Sequence, residues 1–179
     1  MNFTNKKTST LTSVFALGLL LAFSQLVAAV DDFPKANRIL PGGDDDKITL
    51  ADVQSDLWTM LNSRRTRANV QALTLNTEAR SIAYTHSKNL ASSKSAVSGY
   101  IQKYATALNA TEIKVITASI NLLAKHDFTE ESAADIMFQL RKNTNFPAAG
   151  SNAAFTKGAI ALFRSAAKGK VYATLIVYR

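Results

Sequence analysis

Two amphipathic periods, separated by a short basic and polar stretch, dominate the chain between Leu50 and Ala91. Leu50, Val53, Leu57, Met60 and Leu61 share one stripe of a 3.6-residue helix, so that face must be buried. Thr49, followed three residues on by Asp52, has the form of a capping box and places the start of this helix at Leu50. The helix is expected to end at Asn62, with Arg64, Arg65 and Arg67 in the turn that follows. In the second period Ala79, Ile82, Ala83, His86 and Leu90 form the stripe. Asn76 or Thr77 is its expected N-cap, and Glu78 stands at the positive end of the helix dipole.

Further along, Val97, Ile101, Tyr104 and Leu108 recur at helical spacing and predict a third helix. Residues 111–124 carry two signals at once. Ile113, Ile116, Ile120 and Leu123 fit a helix, whereas I-K-V-I-T-A-S-I has the β-branched content of a strand. The pattern leaves both open. From Thr129, read as an N-cap, Ala133, Ile136, Met137 and Leu140 predict a helix closed by Arg141 and Lys142. Residues 143–156 read as a loop, broken by Pro147, Gly150, Ser151 and Asn152. Residues 158–164 and 171–178 are the clearest strands, joined by a Lys168-Gly169 turn. Both faces of this hairpin are apolar, so it belongs in the middle of a sheet covered on both sides.

Leu61-Asn62-x-x-Arg65, then Ala72-Leu73-Thr74-Leu75-Asn76, then A-x-x-I-A-Y-T-H-S-K-N-L-A resembles the opening of the CAP superfamily. That family comprises the cysteine-rich secretory, antigen-five and pathogenesis-related-one proteins, also called SCP-like domains. The C-terminal A-A-F-T-K-G-A-I-A-L-F-R-S-A-A-K-G-K-V-Y-A-T-L-I-V-Y is similar to its closing pair of strands. The resemblance implies an α+β fold, a three-layer α-β-α sandwich with helices on both faces of a small, mainly antiparallel sheet. It also implies a strand within residues 111–124.

Composition adds a compartment. Lys6 and Lys7 precede a mostly apolar run over residues 14–27, and Val27-Ala28-Ala29 offers small residues for cleavage, so residues 1–29 read as a signal peptide. The apolar run is too short for a membrane span of ~20 residues, and no transmembrane segment is expected after cleavage. Residues 30–48 hold Pro34, Pro41, Gly42 and Gly43 with Asp31, Asp32, Asp44, Asp45 and Asp46, and read as an acidic, disordered leader. Residues 49–179 are then the globular, CAP-like domain, whose 0 cysteines leave its stability to packing. The expected localisation is secreted and extracellular. The net charge of +8 is concentrated outside the leader.

Candidate chemistry is sparse. Arg64, Arg65 and Arg67 form the densest basic cluster, which suits an anionic surface or a helix C-terminus. It lacks the interleaved aromatics or groove-entering element of nucleic-acid binding. His126, Asp127 and Glu130 are the candidates for a metal site, although capping of the next helix claims the same residues. His86, on the packed face of its helix, reads as a core histidine. Asn109-Ala110-Thr111 is an N-glycosylation sequon if the host is a eukaryote. Relative to the family, Ser119-Ile120-Asn121 stands where a glutamate-bearing motif is usual, and Asn145-Phe146 where a histidine is usual. A zinc site built there would be short of ligands.

Nucleophile elbows, P-loops and dinucleotide fingerprints are missing from the sequence. No catalytic residue and no cofactor are therefore expected. The expected protein is a secreted, non-catalytic binding protein, and the resemblance to the CAP family implies a sterol, a fatty acid or another small apolar molecule as its ligand. An effector or inhibitor acting on an extracellular protein partner is the alternative, with the leader or residues 143–156 as its contact. A metal-dependent hydrolase using His126 is the remaining class.

Overall fold

In the computed structural model, residues 48–93, 99–122, 128–129 and 131–179 are described. The expected signal peptide and nearly all of the leader lie outside them, as do His126, Asp127 and Glu130.

The elements in chain order are α1 (Leu50–Arg67), β1 (Thr74–Leu75), α2 (Thr77–Ala91), α3 (Tyr100–Ala107), β2 (Ile113–Asn121), α4 (Ser132–Arg141), α5 (Phe146–Gly150), β3 (Lys157–Ser165) and β4 (Lys170–Tyr178). The strands form one sheet in the order β1-β3-β4-β2, antiparallel except for the short parallel pair β1–β3. The β3–β4 hairpin occupies the two central places, as its two apolar faces require.

Alternation along the strands divides the core into two layers. Ala159 and Ala161 of β3, Ile176 and Tyr178 of β4, and Ile113 and Val115 of β2 join Ala79 and Ala83 of α2 and half-buried Tyr100 and Tyr104 of α3. Alanines on both sides of the α2–β3 contact let helix and sheet approach closely. On the other face α1 and α4 contribute buried Val53, Leu57, Leu61, Ile136, Met137 and Leu140, while β3 and β4 contribute Ile160, Leu162, Val171, Ala173, Leu175 and Val177. The architecture is the three-layer α-β-α sandwich. Gly158 sits where a Cβ would lie 2.5 Å from the Ile176 carbonyl oxygen, so the strand contact itself demands glycine.

Several local expectations change. Helix α1 runs through Arg67 instead of ending at Asn62, so the basic cluster is its last turn, where cations complement the dipole. Its capping box is present, Thr49 Oγ1 accepting from Asp52 N–H at 3.2 Å and Asp52 Oδ2 accepting from Thr49 N–H at 2.9 Å. Asn76 is the N-cap of α2. The ambiguous stretch is a strand over Ile113–Asn121, because the edge of β4 supplies a partner for every residue of it. Ile113 and Ile116 consequently face opposite layers. In α3 the inward side carries Tyr100 and Tyr104, and Ile101 is 47% exposed.

Helix α4 starts at Ser132, three residues after the expected Thr129 cap. Thr129 does not cap it with its hydroxyl; its own N–H donates to Ser132 Oγ at 3.0 Å. Residues 143–156 are not a plain loop, since α5 forms there with Pro147 in its first turn, where a missing N–H costs nothing. The hairpin turn passes through a 3₁₀ turn, Ala166–Lys168, and Gly169 at φ +56°.

Candidate functional site

The residues that carry the family resemblance at the end of α1 are structural. Leu61 is fully buried. Asn62 Oδ1 accepts the Leu73 N–H at 2.8 Å, which fixes the chain as it leaves the basic turn. Arg65 is 0% exposed and has no carboxylate beside it among the described residues. Its Nε donates to Gln71 O at 2.8 Å, Nη1 to Ala149 O at 2.7 Å and Asn152 O at 3.2 Å, and Nη2 to Phe155 O at 2.7 Å. The planar fork thus ties α1 to the end of α5 and to the approach of β3. Burial lowers its pKa from the usual arginine value. The expectation that Arg65 meets an anionic surface is corrected: its charge is spent on carbonyl oxygens inside the fold.

Its neighbours differ. Arg64 is half-buried, its guanidinium 5.7 Å from the centre of the Phe146 ring, and its Nε is buried without a hydrogen-bond partner. Burial first, then the nearby charges of Arg141 and Arg67, lower its pKa. Arg67 is exposed in the last turn. The cluster therefore splits into one internal clamp and two outward-facing cations, joined by Arg141 from the last turn of α4.

His86 is buried, with Nδ1 hydrogen-bonded to the Tyr104 hydroxyl at 3.1 Å and its ring 4.9 Å from that of Tyr100. Desolvation lowers its pKa. Both ring neighbours come from α3, so the imidazole attaches that helix to α2.

Ile120 ends up half-buried near the end of β2, Asn145 exposed, and Phe146 buried against Arg64. The two positions at which the family resemblance implies metal-binding side chains thus hold an aliphatic residue and an amide–phenyl pair. Among the described residues no group of three His, Cys, Asp or Glu could hold a metal ion. Asn109 lies exposed in the turn between α3 and β2 at φ +48°, with Thr111 Oγ1 donating to Arg179 O at 3.0 Å.

A groove of about 600 Å³ opens between the start of α1, the outer side of α2 and strand β3. Half-buried Leu50 and exposed Tyr84 line it with Gln54 and Arg80, and it meets β3 at Ala161 and Leu162, whose side chains are both 1% exposed. With its amide oxygen turned to the guanidinium, Gln54 accepts from Arg80 Nη2 at 2.7 Å and Nε at 2.9 Å. Tyr84 is 46% exposed and rests edge-on against Phe163, ring centres 5.9 Å apart. Sequence reasoning missed this set because α1 and β3 are brought together only by the fold. The one local signal was Tyr84, a large aromatic on the polar side of α2.

No protein-family model and no curated protein matches the chain. Solved structures do. A cysteine-rich secretory protein from Staphylococcus aureus subsp. aureus Mu50 superposes with a TM-score of 0.50 at 13% identity, over 76% of this chain and 40% of the other. An extracellular protein containing an SCP domain, from Bacillus anthracis str. Ames, gives 0.53 at 13% identity, over 77% and 45%. The chain thus spans less than half the length of either. Its fold is that of the CAP, or SCP-like, domains.

Proposed function

We propose that the protein is a secreted, non-catalytic CAP-fold binding protein whose groove between α1, α2 and β3 takes a small apolar ligand such as a sterol or a fatty acid. The groove is the observation that carries this reading. Its volume falls within the range of about 300–1,000 Å³ usual for ligand sites, and apolar Leu50 and Tyr84 line it beside polar Gln54 and Arg80. An amphipathic molecule would lay its hydrocarbon on Leu50 and Tyr84 and its polar end toward Arg80 and Gln54. The same surface offers no nucleophile with an adjacent base, and His86 is occupied in packing.

Secretion is supported by the signal-peptide form of residues 1–29 and by the extracellular character stated for the B. anthracis neighbour. Sequencing the N-terminus of the protein recovered from the medium should find Val30 first; retention of Met1 would contradict that part. Titration with a fluorescent fatty acid and a fluorescent sterol tests the groove. Ser81→Trp, an exposed position on its wall, should abolish binding of whichever probe binds, and Tyr84→Ala should weaken it about tenfold by removing apolar contact. Binding that survives Ser81→Trp unchanged would place the ligand elsewhere and overturn the assignment.

A further inference from the structure

Strand β2 is the last in the sheet order, so its side away from β4 is an edge. It pairs with β4 without a bulge over all 9 residues, Ile113–Asn121. The bonds just beyond its two ends show which main-chain groups that pairing uses. Arg179 N–H donates to Glu112 O at 3.0 Å and Leu122 N–H to Gly169 O at 2.7 Å, so the even-numbered residues turn toward β4. By alternation Ile113, Val115, Thr117, Ser119 and Asn121 turn their N–H and C=O outward, where no described residue bonds to them.

Folds that leave an edge bare usually spoil it with proline, a bulge or clustered charge. Strand β2 carries none of these. It is rich in β-branched residues, and its one charged side chain, Lys114, lies 3.4 Å from Glu112. Cover is uneven along it. Tyr100 and Tyr104 of α3 pack with buried Ile113 and Val115, whereas Thr117 is half-buried and Ser119 and Asn121 are exposed.

We propose that two copies of the chain join antiparallel along this edge, about a two-fold axis at Thr117, doubling the four-stranded sheet. The strand itself selects this occupant. Its outward positions are symmetric about Thr117, so Ile113 of one copy meets Asn121 of the other, Val115 meets Ser119, and Thr117 meets its own counterpart. Every outward N–H and C=O then finds a partner. Lys114 falls opposite Ile120, so no like charges meet. The exposed half of each strand comes beside the half that α3 covers in the other copy. The groove lies at β3, on the far side of β4 from this edge, so the pairing does not depend on the ligand assigned there.

Because the chain has 0 cysteines, a single introduced thiol reports on one position. In the paired form the two Thr117 Cα atoms stand about 5.5 Å apart, within reach of a disulfide, and the two Ser119 Cα atoms roughly 14 Å apart. With copper–phenanthroline as oxidant, full-chain Thr117→Cys should cross-link into dimers. Ser119→Cys should do so at least about tenfold more slowly, although Ser119 is the more exposed of the two. Equal rates, or faster linking of Ser119→Cys, would mean random collision and overturn the proposal. Sedimentation equilibrium gives the second readout, with the wild type expected to be dimeric at about 0.1 mM. Thr117→Pro removes the central outward N–H, which β4 does not use, so circular dichroism should hold while the dimer Kd rises about tenfold or more. Thr117→Lys sets two ammonium groups face to face, and its loss of dimer should be reversed by salt near 1 M. A wild type that stays monomeric, or a dimer that both variants leave intact, would also overturn the proposal.

Discussion

Adjacent arginines in one helical turn do opposite things here. Arg65 points inward and satisfies carbonyls of Gln71, Ala149, Asn152 and Phe155, while Arg64 packs its guanidinium on Phe146 at the surface. A lysine at 65 would present a single ammonium in place of the planar fork and leave carbonyls unpaired. Urea unfolding should show Arg65→Lys destabilised by about 3 kcal/mol and Arg64→Lys by less than about 1 kcal/mol. Similar small losses in both would contradict the clamp. The pattern L-N-x-x-R was legible in the sequence as a resemblance, but its meaning was not. Which of several neighbouring arginines is buried depends on carbonyls more than eighty residues away. Asn62 is similar: its partner, the Leu73 N–H, lies beyond the turn.

At the scale of elements, α3 is the least embedded of the helices, none of its residues being fully buried. Its attachment runs through Tyr100, Tyr104 and His86. Because burial holds the His86 pKa in the folded state below its ordinary 6.5, the unfolded state binds the proton more readily. The stability His86 contributes is complete above pH 6.5 and is lost as pH falls through the lowered folded value. Hydrogen exchange of the 100–107 amides, corrected for intrinsic rates, should accelerate between pH 7.5 and about pH 5. The His86→Gln variant should show no such change. An equal acceleration in both would place the acid sensitivity outside this contact.

The elements legible in the sequence were those whose signal is local. The capping box of α1, the cap of α2 at Asn76, one of the two residues expected for it, and the apolar alternation of the hairpin are such signals. Residues 113–121 carried a helical period and a strand composition together, and only the free edge of β4 decided between them. The start of α4 shifted because Ser132 captures the Thr129 N–H within the turn, a competition that spacing alone does not reveal. Helix α5 was hidden by Pro147 and Gly150, which read as breakers but here begin and end a single short helix.

For the whole molecule, a sheet whose central hairpin is apolar on both faces explains how 0 cysteines suffice. Close helix–sheet contact through Ala79, Ala83, Ala159 and Ala161 leaves little room for added volume. Gly158→Ala drives a methyl onto the Ile176 carbonyl and should cost about 2 kcal/mol in thermal or urea unfolding. The same layering sets the groove and the basic last turn at opposite ends of α1.

Native mass spectrometry of protein purified from its host without added lipid, paired with elemental analysis, tests the central claim most directly. The account predicts a co-purifying apolar molecule of a few hundred daltons, about one per chain, absent from Ser81→Trp, with no stoichiometric metal. Stoichiometric zinc would contradict it and return His126, Asp127 and Glu130 to consideration as ligands. A ligand-free chain that also fails to take up fatty acid or sterol would end the binding assignment.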